Sequence, residues 1–388
     1  MQKLQGGNGN TGVRPVQAIK RLALAGGGTG GHIVPGLHLL RAAQARGEAP
    51  EQVLWFTSGR SVENDVLEGL GETLPQVSVE IVRLPMEAAG GGAPPLTGTL
   101  MRSPRSVWMA RQALRRHRSQ VLLGLGGFMG LPSVLAARIL GIPVALYEVN
   151  AVAGKATRYL GGMAKNIFHA WPSSLPNSGN TRHRMIGPVI GPEFRPAGPD
   201  AERARLRTEL GFEGAAPLLV ILGGSQGAGA LNAFILEQMD PLLSAGWQIL
   251  HQVGPGRMGP VERAGALSNP GYRAVEYVHD MHRVLAASEL VLARGGASTL
   301  AEIAVVGVPT WVVPYPHHAD QHQAHNARML GDGIRVVPQE RLNGELASEL
   351  GRLALDRVQL GHMRRSLAGF QSLGAEELWK ALGSFLAR

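Results

Sequence analysis

Three glycine-rich segments of this chain have the composition of anion-binding turns. They are residues 26–32 (GGGTGGH), 126–127 (GG) and 223–228 (GGSQGA), and each lies between an apolar run and a helical pattern. Glycine permits a positive φ and a close approach of the backbone, and the helix that follows begins with unpaired N–H groups at its positive end. Phosphate and pyrophosphate suit such turns. One turn alone is as readily structural, but three in the same context predict phosphate binding.

The spacing inside these turns disfavours two familiar nucleotide sites. Gly26, Gly28 and Gly31 fit the G-x-G-x-x-G spacing of a dinucleotide-binding turn. The second predicted strand, however, ends in Thr57 and Ser58, without the acidic residue that binds the ribose. None of the turns ends in the Gly-Lys-Ser/Thr of a P-loop. A nicotinamide enzyme and a P-loop NTPase are therefore both disfavoured.

The elements that position these turns form two α/β units in series. The predicted strands are residues 19–25, 53–57, 121–125, 142–147, 218–222, 247–252, 272–277, 290–292 and 310–313. The predicted helices are residues 34–46, 132–140 and 230–239, one that begins near residue 298, and a helical region over 347–388. Strand, turn, helix and strand in this order predict parallel sheets with helices on both faces. We expect the ligand in a cleft between the units, at the carboxyl ends of both sheets.

The domain boundaries follow from composition. Residues 1–17 are rich in glycine and asparagine and are predicted to be a mobile tail. Residues 187–199 are rich in proline and glycine, as boundaries between domains often are. We therefore expect an N-terminal domain over 18–190 and a C-terminal domain over 191–370. The last helix, within 371–388, is expected to pack back on the N-terminal domain.

The composition excludes several classes of protein. Cysteine is absent from the 388 residues, which excludes a disulfide framework, a thiolate nucleophile, a zinc finger and an iron–sulfur cluster. Hydrophobic residues make up 44% of the chain, which excludes wholesale disorder. No apolar run approaches the roughly 18 residues of a spanning helix, and the first 13 residues lack the apolar stretch of a signal peptide. We expect a cytoplasmic protein whose net charge of +9 favours an anionic partner.

Several motifs closely resemble those of the MurG family. They are residues 27–32, 223–228 and 297–302 (ASTLAE), together with Pro314, Pro316, Asp320, His322, Gln323, Asn326 and Ala327. The resemblance runs from about residue 19 to 385. It implies the glycosyltransferase-B fold, in which two Rossmann-like domains face a cleft. It also implies a peripheral membrane enzyme that transfers N-acetylglucosamine (GlcNAc) from UDP-GlcNAc to lipid I, with inversion, to form lipid II for peptidoglycan.

The resemblance assigns the donor site to the C-terminal domain, the first glycine turn and Asn150. Glu302 would accept hydrogen bonds from the ribose diol, although a carboxylate in a first helical turn also serves to complement the helix dipole. Arg294 would neutralise the diphosphate, and the backbone of Val278 would meet the uracil. The full set implied for the donor is Thr29, Gly30, Gly31, Asn150, Ser225, Gln226, Val278, Arg294, Ala297, Ser298, Thr299, Leu300, Ala301, Glu302, His322 and Gln323.

Two residues are candidates for the base that deprotonates the C4 hydroxyl of the acceptor sugar. An imidazole with an ordinary pKa near ~6.5 suits this task at neutral pH, which favours His32. A lone histidine at a helix start is more often structural, and Glu148 is the second candidate. The departing UDP would be stabilised by the N–H groups of residues 225–227. Because the chain contains no Asp-x-Asp motif, we expect no metal and no cofactor.

The acceptor side departs from the family pattern. Residues 126–130 (GGFMG) replace Gly-Gly-Tyr-x-Ser, and residues 147–150 (YEVN) replace His-Glu-Gln-Asn. Thr157 stands at an asparagine position, and residues 187–190 (GPVI) replace Asn-Pro-Val-Arg. The predicted acceptor-side residues are Gly126, Gly127 and Phe128. Arg158, Arg182 or Arg184 could supply the missing positive charge.

A basic helix carries the predicted membrane face. Trp108, Arg111 and Arg115 share one helical stripe, Arg105 lies close by, and Pro104 is expected at the first helical position. Cations beside an interfacial tryptophan suit an anionic bilayer. A solvated face over an ordinary core helix is the alternative. RNA binding is disfavoured because no RNA-binding signature accompanies the patch, so we expect no nucleic-acid partner.

Two other functions stay open from the sequence. A UDP-GlcNAc 2-epimerase has the same fold, but it needs no lipid acceptor and leaves the basic helix unexplained. A membrane-docked protein that binds UDP-GlcNAc without transferring it is the non-enzymatic alternative. It is motivated by Phe128, Tyr147, Val149 and Ile190 on the acceptor side. Turnover with a lipid I analogue separates it from the transferase.

Overall fold

The computed structural model describes residues 18–27, 30–60, 63, 67, 70–85, 96–127, 130–317, 320–370 and 372–386, with the backbone alone at 72–73 and 96–103. The predicted tail over 1–17 lies outside the described residues. So do Thr29 of the implied donor set and Phe128 of the acceptor-side set.

All strands of the described chain lie in two parallel sheets. The N-terminal sheet contains β1 (Arg21–Ala25), β2 (Gln52–Thr57), β3 (Ser78–Arg83), β4 (Val121–Gly124), β5 (Val144–Glu148), β6 (Asn166–His169) and β7 (His183–Met185), in the order β3-β2-β1-β4-β5-β6-β7. The C-terminal sheet contains β8 (Leu218–Leu222), β9 (Gln248–Gln252), β10 (Tyr272–Val275), β11 (Leu290–Ala293), β12 (Thr310–Val312) and β13 (Ile334–Val336), in the order β10-β9-β8-β11-β12-β13. The predicted fold of two Rossmann-like domains is confirmed.

Helices cover both faces of each sheet. The N-terminal ones are α1 (Val34–Ala45), α2 (Leu70–Thr73), α3 (Leu96–His117), α4 (Gly130–Ile139) and α5 (Lys155–Leu160). The C-terminal ones are α6 (Asp200–Glu209), α7 (Gly229–Ser244), α8 (Gly259–Arg263), α9 (Met281–Ala287), α10 (Ala297–Val306), α11 (His322–Arg328), α12 (Gly344–Leu353), α13 (Arg357–Leu367) and α14 (Gly374–Gly383). Short 3-10 turns occupy 30–32, 161–163, 172–174, 266–268, 331–333 and 339–341.

Helix α3 begins earlier than its sequence predicts. It starts at Leu96, so Pro104 lies inside the helix instead of at its first position. Proline there cannot donate the hydrogen bond of a helical N–H. The helix nevertheless continues through Pro104, which is exposed. Ala110 and Leu114, four residues apart, are buried against the sheet and anchor the C-terminal half.

The C-terminal helix packs on the N-terminal domain. Helix α14 contacts α1, and the Arg46 guanidinium lies 2.9 Å from a carboxylate oxygen of Glu376. Farther along, the Lys165 ammonium lies 4.4 Å from the centre of the Phe385 ring. These contacts tie the end of the chain to the domain in which it begins, and one hydrophobic cluster runs through both domains.

Candidate active site

The main cavity lies where both sheets reverse their strand order. In the N-terminal sheet, β1 is followed by β2 on one side, whereas the neighbouring β4 is followed by β5 on the other side. In the C-terminal sheet, β8 and β11 are followed by β9 and β12 in the same way, on opposite sides. Ligands of open parallel sheets bind at the carboxyl ends of such strands. The cavity has a volume of about 1780 Å³ and is lined by the turns that follow these strands.

Three helices point uncapped N-termini at this cavity. Helices α1, α7 and α10 begin beside it, and no side chain among the described residues caps the first N–H groups of any of them. The third glycine turn, residues 223–228, requires glycine at Gly227, where φ is +69° and a Cβ would lie 2.0 Å from the carbonyl oxygen of Val253. Unpaired N–H groups at positive helix ends are suited to the oxygens of a diphosphate.

The first and third glycine turns, residues 26–32 and 223–228, touch across the cavity. The Gly30 amide donates a hydrogen bond to Ser225 Oγ at 3.2 Å. Ser298 Oγ, in the first turn of α10, donates to the Gly31 carbonyl at 3.4 Å. Residues from both domains therefore share one site, as predicted from the sequence.

His32 lies at the meeting point of the first two turns. Its Nδ1 is 3.3 Å from the Gly27 carbonyl oxygen, which can only accept, so the proton of a neutral imidazole lies on Nδ1 and Nε2 carries the lone pair. A Cβ on Gly126 would lie 2.8 Å from the His32 ring. Burial lowers the pKa of His32 below the usual 6.5, although the Gly27 hydrogen bond and the charge of Glu148 offset part of this effect. The ring is therefore neutral at neutral pH, as a general base must be.

Glu148 is engaged as an acceptor on both of its oxygens. Oε1 accepts from the backbone and side-chain amides of Asn150, at 3.0 and 3.2 Å. Oε2 accepts from the Gly154 amide at 2.8 Å and from Thr157 Oγ1 at 2.5 Å. Four donors occupy the lone pairs with which a base would take a proton. The geometry favours a role in holding the loop between residues 148 and 157, although Glu148 lines the cavity.

Arg294 is a buried cation on the cavity wall. Its guanidinium donates to the carbonyls of Val313 and Pro314 and to Gln339 Oε1, at 2.9, 3.1 and 2.7 Å. In the part of the chain that the structure describes, no carboxylate forms an ion pair with it. Burial lowers the pKa of Arg294, so an anion bound beside it would relieve an uncompensated charge.

Glu302 meets a partner that the sequence did not reveal. Its Oε1 lies 2.9 Å from His38 Nε2, on α1 of the other domain, and both side chains are buried. Beyond His38, Glu193 lies 3.9 Å from His38 Nδ1 and 2.6 Å from Arg41 Nη1. In the described chain, Oε2 of Glu302 accepts no hydrogen bond, so one oxygen is held while the other remains available in the cavity wall.

Asn326 joins the two domains below the cavity. Its Oδ1 accepts from the Ala151 amide at 2.8 Å. Its Nδ2 donates to Asn150 Oδ1 and to the Gly295 carbonyl, at 3.2 and 3.1 Å. The fully buried amide thus aligns the Asn150 loop with the turn before α10.

The neighbouring helix α11 places the last pair of predicted donor residues. Gln323 Oε1 accepts from the amides of Tyr315 and Gly295, at 2.9 and 3.3 Å, which leaves its NH₂ group as a donor. His322 Nδ1 lies 2.8 Å from Asp320, and this hydrogen bond lowers the pKa of Asp320.

Most of the residues singled out from the sequence line this one cavity. They are Gly30, Gly31, His32, Gly126, Gly127, Glu148, Asn150, Ser225, Gln226, Val278, Arg294, Ala297, Ser298, Thr299, Glu302, His322 and Gln323. Leu300 and Ala301 do not line it. Both side chains are buried in the hydrophobic core instead.

The acceptor-side departures have structural explanations. Tyr147 is buried, its hydroxyl accepts from the Val189 amide at 2.9 Å, and burial raises its pKa. Ile190 also lies in the core and not on the cavity wall. Thr157 supplies one of the four donors to Glu148. Among these, Val149 and Thr157 line the cavity.

The basic helix presents its predicted face to solvent. Trp108 is 60% exposed, Arg105 and Arg115 are exposed, and Arg111 is half-buried. Across the described residues, no helix is both long and apolar enough to span a bilayer.

Two family models match the chain. The glycosyltransferase family 28 N-terminal domain matches residues 22–169, and the family 28 C-terminal domain matches residues 218–378. The chain is also 35% identical to the UDP-N-acetylglucosamine–N-acetylmuramyl-(pentapeptide) pyrophosphoryl-undecaprenol N-acetylglucosamine transferase of Verminephrobacter eiseniae. That similarity covers 92% of this chain and 98% of the relative.

Solved structures give the same picture. The crystal structure of Acinetobacter baumannii MurG superposes with a TM-score of 0.65 and 25% identity, covering 94% of this chain and 99% of that one. A putative UDP-N-acetylglucosamine 2-epimerase from Listeria monocytogenes also gives a TM-score of 0.65, over 93% of this chain and 95% of that one, but at 15% identity. The second likeness concerns the fold alone.

Proposed function

The chain belongs to the MurG family of glycosyltransferases, and from this premise we propose that it transfers GlcNAc from UDP-GlcNAc to the C4 hydroxyl of lipid I, forming lipid II. The observation that carries the proposal is the pairing of three helix N-termini with the Arg294 cation around one cavity, where the described residues provide neither a side-chain cap for these helices nor a carboxylate partner for Arg294. This arrangement supports a nucleoside diphosphate ligand.

The proposed reaction is an in-line displacement. His32 Nε2 takes the proton of the acceptor hydroxyl as that oxygen bonds to the anomeric carbon. The bond from this carbon to the diphosphate oxygen breaks on the opposite face, and UDP leaves with the electron pair, so the anomeric configuration inverts. The N–H groups of residues 225–227 and the Arg294 guanidinium stabilise the charge on the departing oxygen without a metal.

The two other functions have less support. The epimerase likeness rests on the fold alone at 15% identity. The binding-only alternative was motivated by acceptor-side substitutions, and two of these, Tyr147 and Ile190, lie in the core, where they replace no acceptor contact.

The first test is UDP release from UDP-GlcNAc, with and without a soluble lipid I analogue, in the presence of EDTA. We expect release that depends on the acceptor and is unaffected by EDTA. Donor binding without release would favour the binding-only protein. Release without acceptor, together with formation of the 2-epimer, would favour the epimerase.

We also propose that the α3 face docks on the anionic cytoplasmic surface of the cell membrane, which presents the cavity to a lipid-linked acceptor. The support is chemical, since an exposed tryptophan beside arginines suits the interface of a bilayer. Each cation near such a surface contributes roughly 1 kcal/mol of binding free energy.

Replacing Arg111 and Arg115 with serine is expected to lower the binding constant for anionic liposomes by roughly tenfold or more, because two surface cations are lost. The measurement is co-flotation at fixed ionic strength. Arg352→Ser with Arg365→Ser is the matched control, since it removes the same charge from exposed positions on α12 and α13. Equal flotation of both double variants would argue that the α3 arginines are merely solvated.

A further inference from the structure

A second cavity opens at the β6–β7 edge of the N-terminal sheet. Its volume is about 620 Å³, which is within the range of small-molecule sites. We call it the edge pocket and define it by six of its lining residues, which are Thr157, Arg158, His169, Ser174, Arg182 and His183. None of these except Thr157 also lines the main cavity.

The edge pocket is positively charged. Arg158 Nε donates to the Ala153 carbonyl at 2.8 Å, and Arg182 Nη1 donates to the Gly162 carbonyl at 3.4 Å. Neither guanidinium pairs with a carboxylate in the described chain, and no acidic side chain lines the pocket. Two cations without counter-charges in one concave site favour an anionic ligand.

A chain of hydrogen bonds fixes the protons on its inner wall. Ser174 Oγ donates its single proton to the Trp171 carbonyl at 2.8 Å, so it must accept from His169 Nδ1 at 2.9 Å. His169 Nε2 is then the acceptor for His183 Nδ1, also at 2.9 Å. Burial and the nearby His183 lower the pKa of His169 to about 4, which keeps it neutral. The available proton-binding position is therefore Nε2 of His183.

The edge pocket adjoins the candidate active site. Val152 and Thr157 line both cavities. Thr157 also donates to the Glu148 carboxylate, which borders the main cavity. A substrate bound beside Glu148 could therefore extend one of its arms past Thr157 into the edge pocket.

The order of the helices across the sheet indicates which part of the acceptor would reach the edge pocket. Helix α3 contacts β2 and pairs Arg116 with Glu80 on β3, and α4 and α5 follow it across the sheet. The proposed membrane helix and the edge pocket thus lie at opposite sides of the domain. An acceptor whose lipid diphosphate runs toward α3 directs that diphosphate away from the pocket. Its peptide, attached to the sugar carbon next to the reacting hydroxyl, is the other anionic arm.

We propose that the edge pocket binds a carboxylate of the acceptor's peptide through Arg158 and Arg182. This assignment rests on the proposed function, because it assumes a lipid-linked sugar that carries a peptide. It adds a specificity site on the acceptor side.

The test compares two short-chain lipid I analogues, one with free peptide carboxylates and one with these converted to primary amides. We expect amidation to raise KM of the wild-type enzyme about tenfold, since a hydrogen bond to a charged group is lost. Arg182→Ser should raise KM for the free acid by a similar factor and leave both KM for the amide and Kd for UDP unchanged. Arg158→Ser is the second variant, in case Arg182→Ser folds poorly.

Arg138→Ser is the matched control, because Arg138 is an exposed arginine of the same domain and lines neither cavity. Equal KM values of the wild type for both analogues would overturn the proposal. An equal rise for both analogues in Arg182→Ser would overturn it as well and would point to the diphosphate instead.

A binding measurement separates this proposal from the proposed function. If the wild-type enzyme transfers to neither analogue, the proposed function fails, and the pocket is tested with the free-acid muramoyl peptide alone. A shift of the His183 imidazole resonance in the wild type, absent in Arg182→Ser, would support the edge pocket. No shift in the wild type would overturn it.

Discussion

Replacing His32 with alanine is expected to lower kcat by roughly 10²- to 10⁴-fold, the usual contribution of a positioned general base. The Kd for UDP-GlcNAc should change little, because the unpaired N–H groups of the helix termini and Arg294 remain in place. The physical reason is the tautomer that the Gly27 carbonyl selects, in which Nδ1 carries the proton and Nε2 the basic lone pair. Single-turnover rates at saturating donor and acceptor, beside calorimetric Kd values, measure the two quantities separately.

The same assignment fixes the pH dependence. A base acts in its neutral form, which exists above its pKa, and burial lowers the pKa of His32 below 6.5. The rate should therefore decline on the acidic side, with the midpoint of that decline below pH 6.5. This acidic limb should disappear in His32→Ala.

His362→Ala is a suitable control, since His362 is exposed on α13, far along the chain from either glycine turn. Wild-type turnover in His32→Ala would remove His32 as the base. Retention of the acidic limb in that variant would return attention to Glu148, despite its four hydrogen-bond donors.

The elements that position the site were predictable from the sequence because they are buried on both faces. Strands such as β8 (LLVIL) are apolar throughout, and a glycine turn and a helix follow at once. The unpredicted strands β3, β6, β7 and β13 are short or partly exposed. Strand β3 (SVEIVR) and β7 (HRM) lie at the sheet edges and carry charged residues, so no apolar run marks them.

The candidate site was predictable only where its residues are neighbours in the sequence and form one motif. The glycine turns and the α10 motif could be recognised because their residues are adjacent in the chain. The contact of His38 with Glu302 joins residues 264 positions apart, and no local pattern encodes it. The four donors to Glu148 come from a loop whose path the sequence did not reveal, so a carboxylate resembling a second base is held mainly as a loop anchor.

Replacing Glu302 with alanine is expected to weaken UDP binding by roughly 10- to 100-fold, because the ribose loses a charge-assisted hydrogen bond to Oε2 that is worth about 1.5–3 kcal/mol. Calorimetry with UDP measures this directly. Glu340→Ala is a control at a half-exposed carboxylate that does not line the cavity. Unchanged affinity in Glu302→Ala would remove the ribose assignment.

His38 should act on the donor only through Glu302. The Nε2 atom of His38 is hydrogen-bonded to Oε1 of Glu302, which leaves Oε2 of Glu302 toward the cavity. His38→Leu should therefore weaken UDP binding by about tenfold, because the Glu302 carboxylate loses its fixed orientation. In the Glu302→Ala background the same substitution should have no further effect, and the double-mutant cycle should return a coupling close to the whole effect of His38→Leu. Additive losses would mean that His38 contributes independently of Glu302. Tighter UDP binding in His38→Leu would mean that His38 competes with the ribose for the Glu302 carboxylate. Thermal unfolding of each variant shows whether a change in UDP affinity reflects a loss of folding instead.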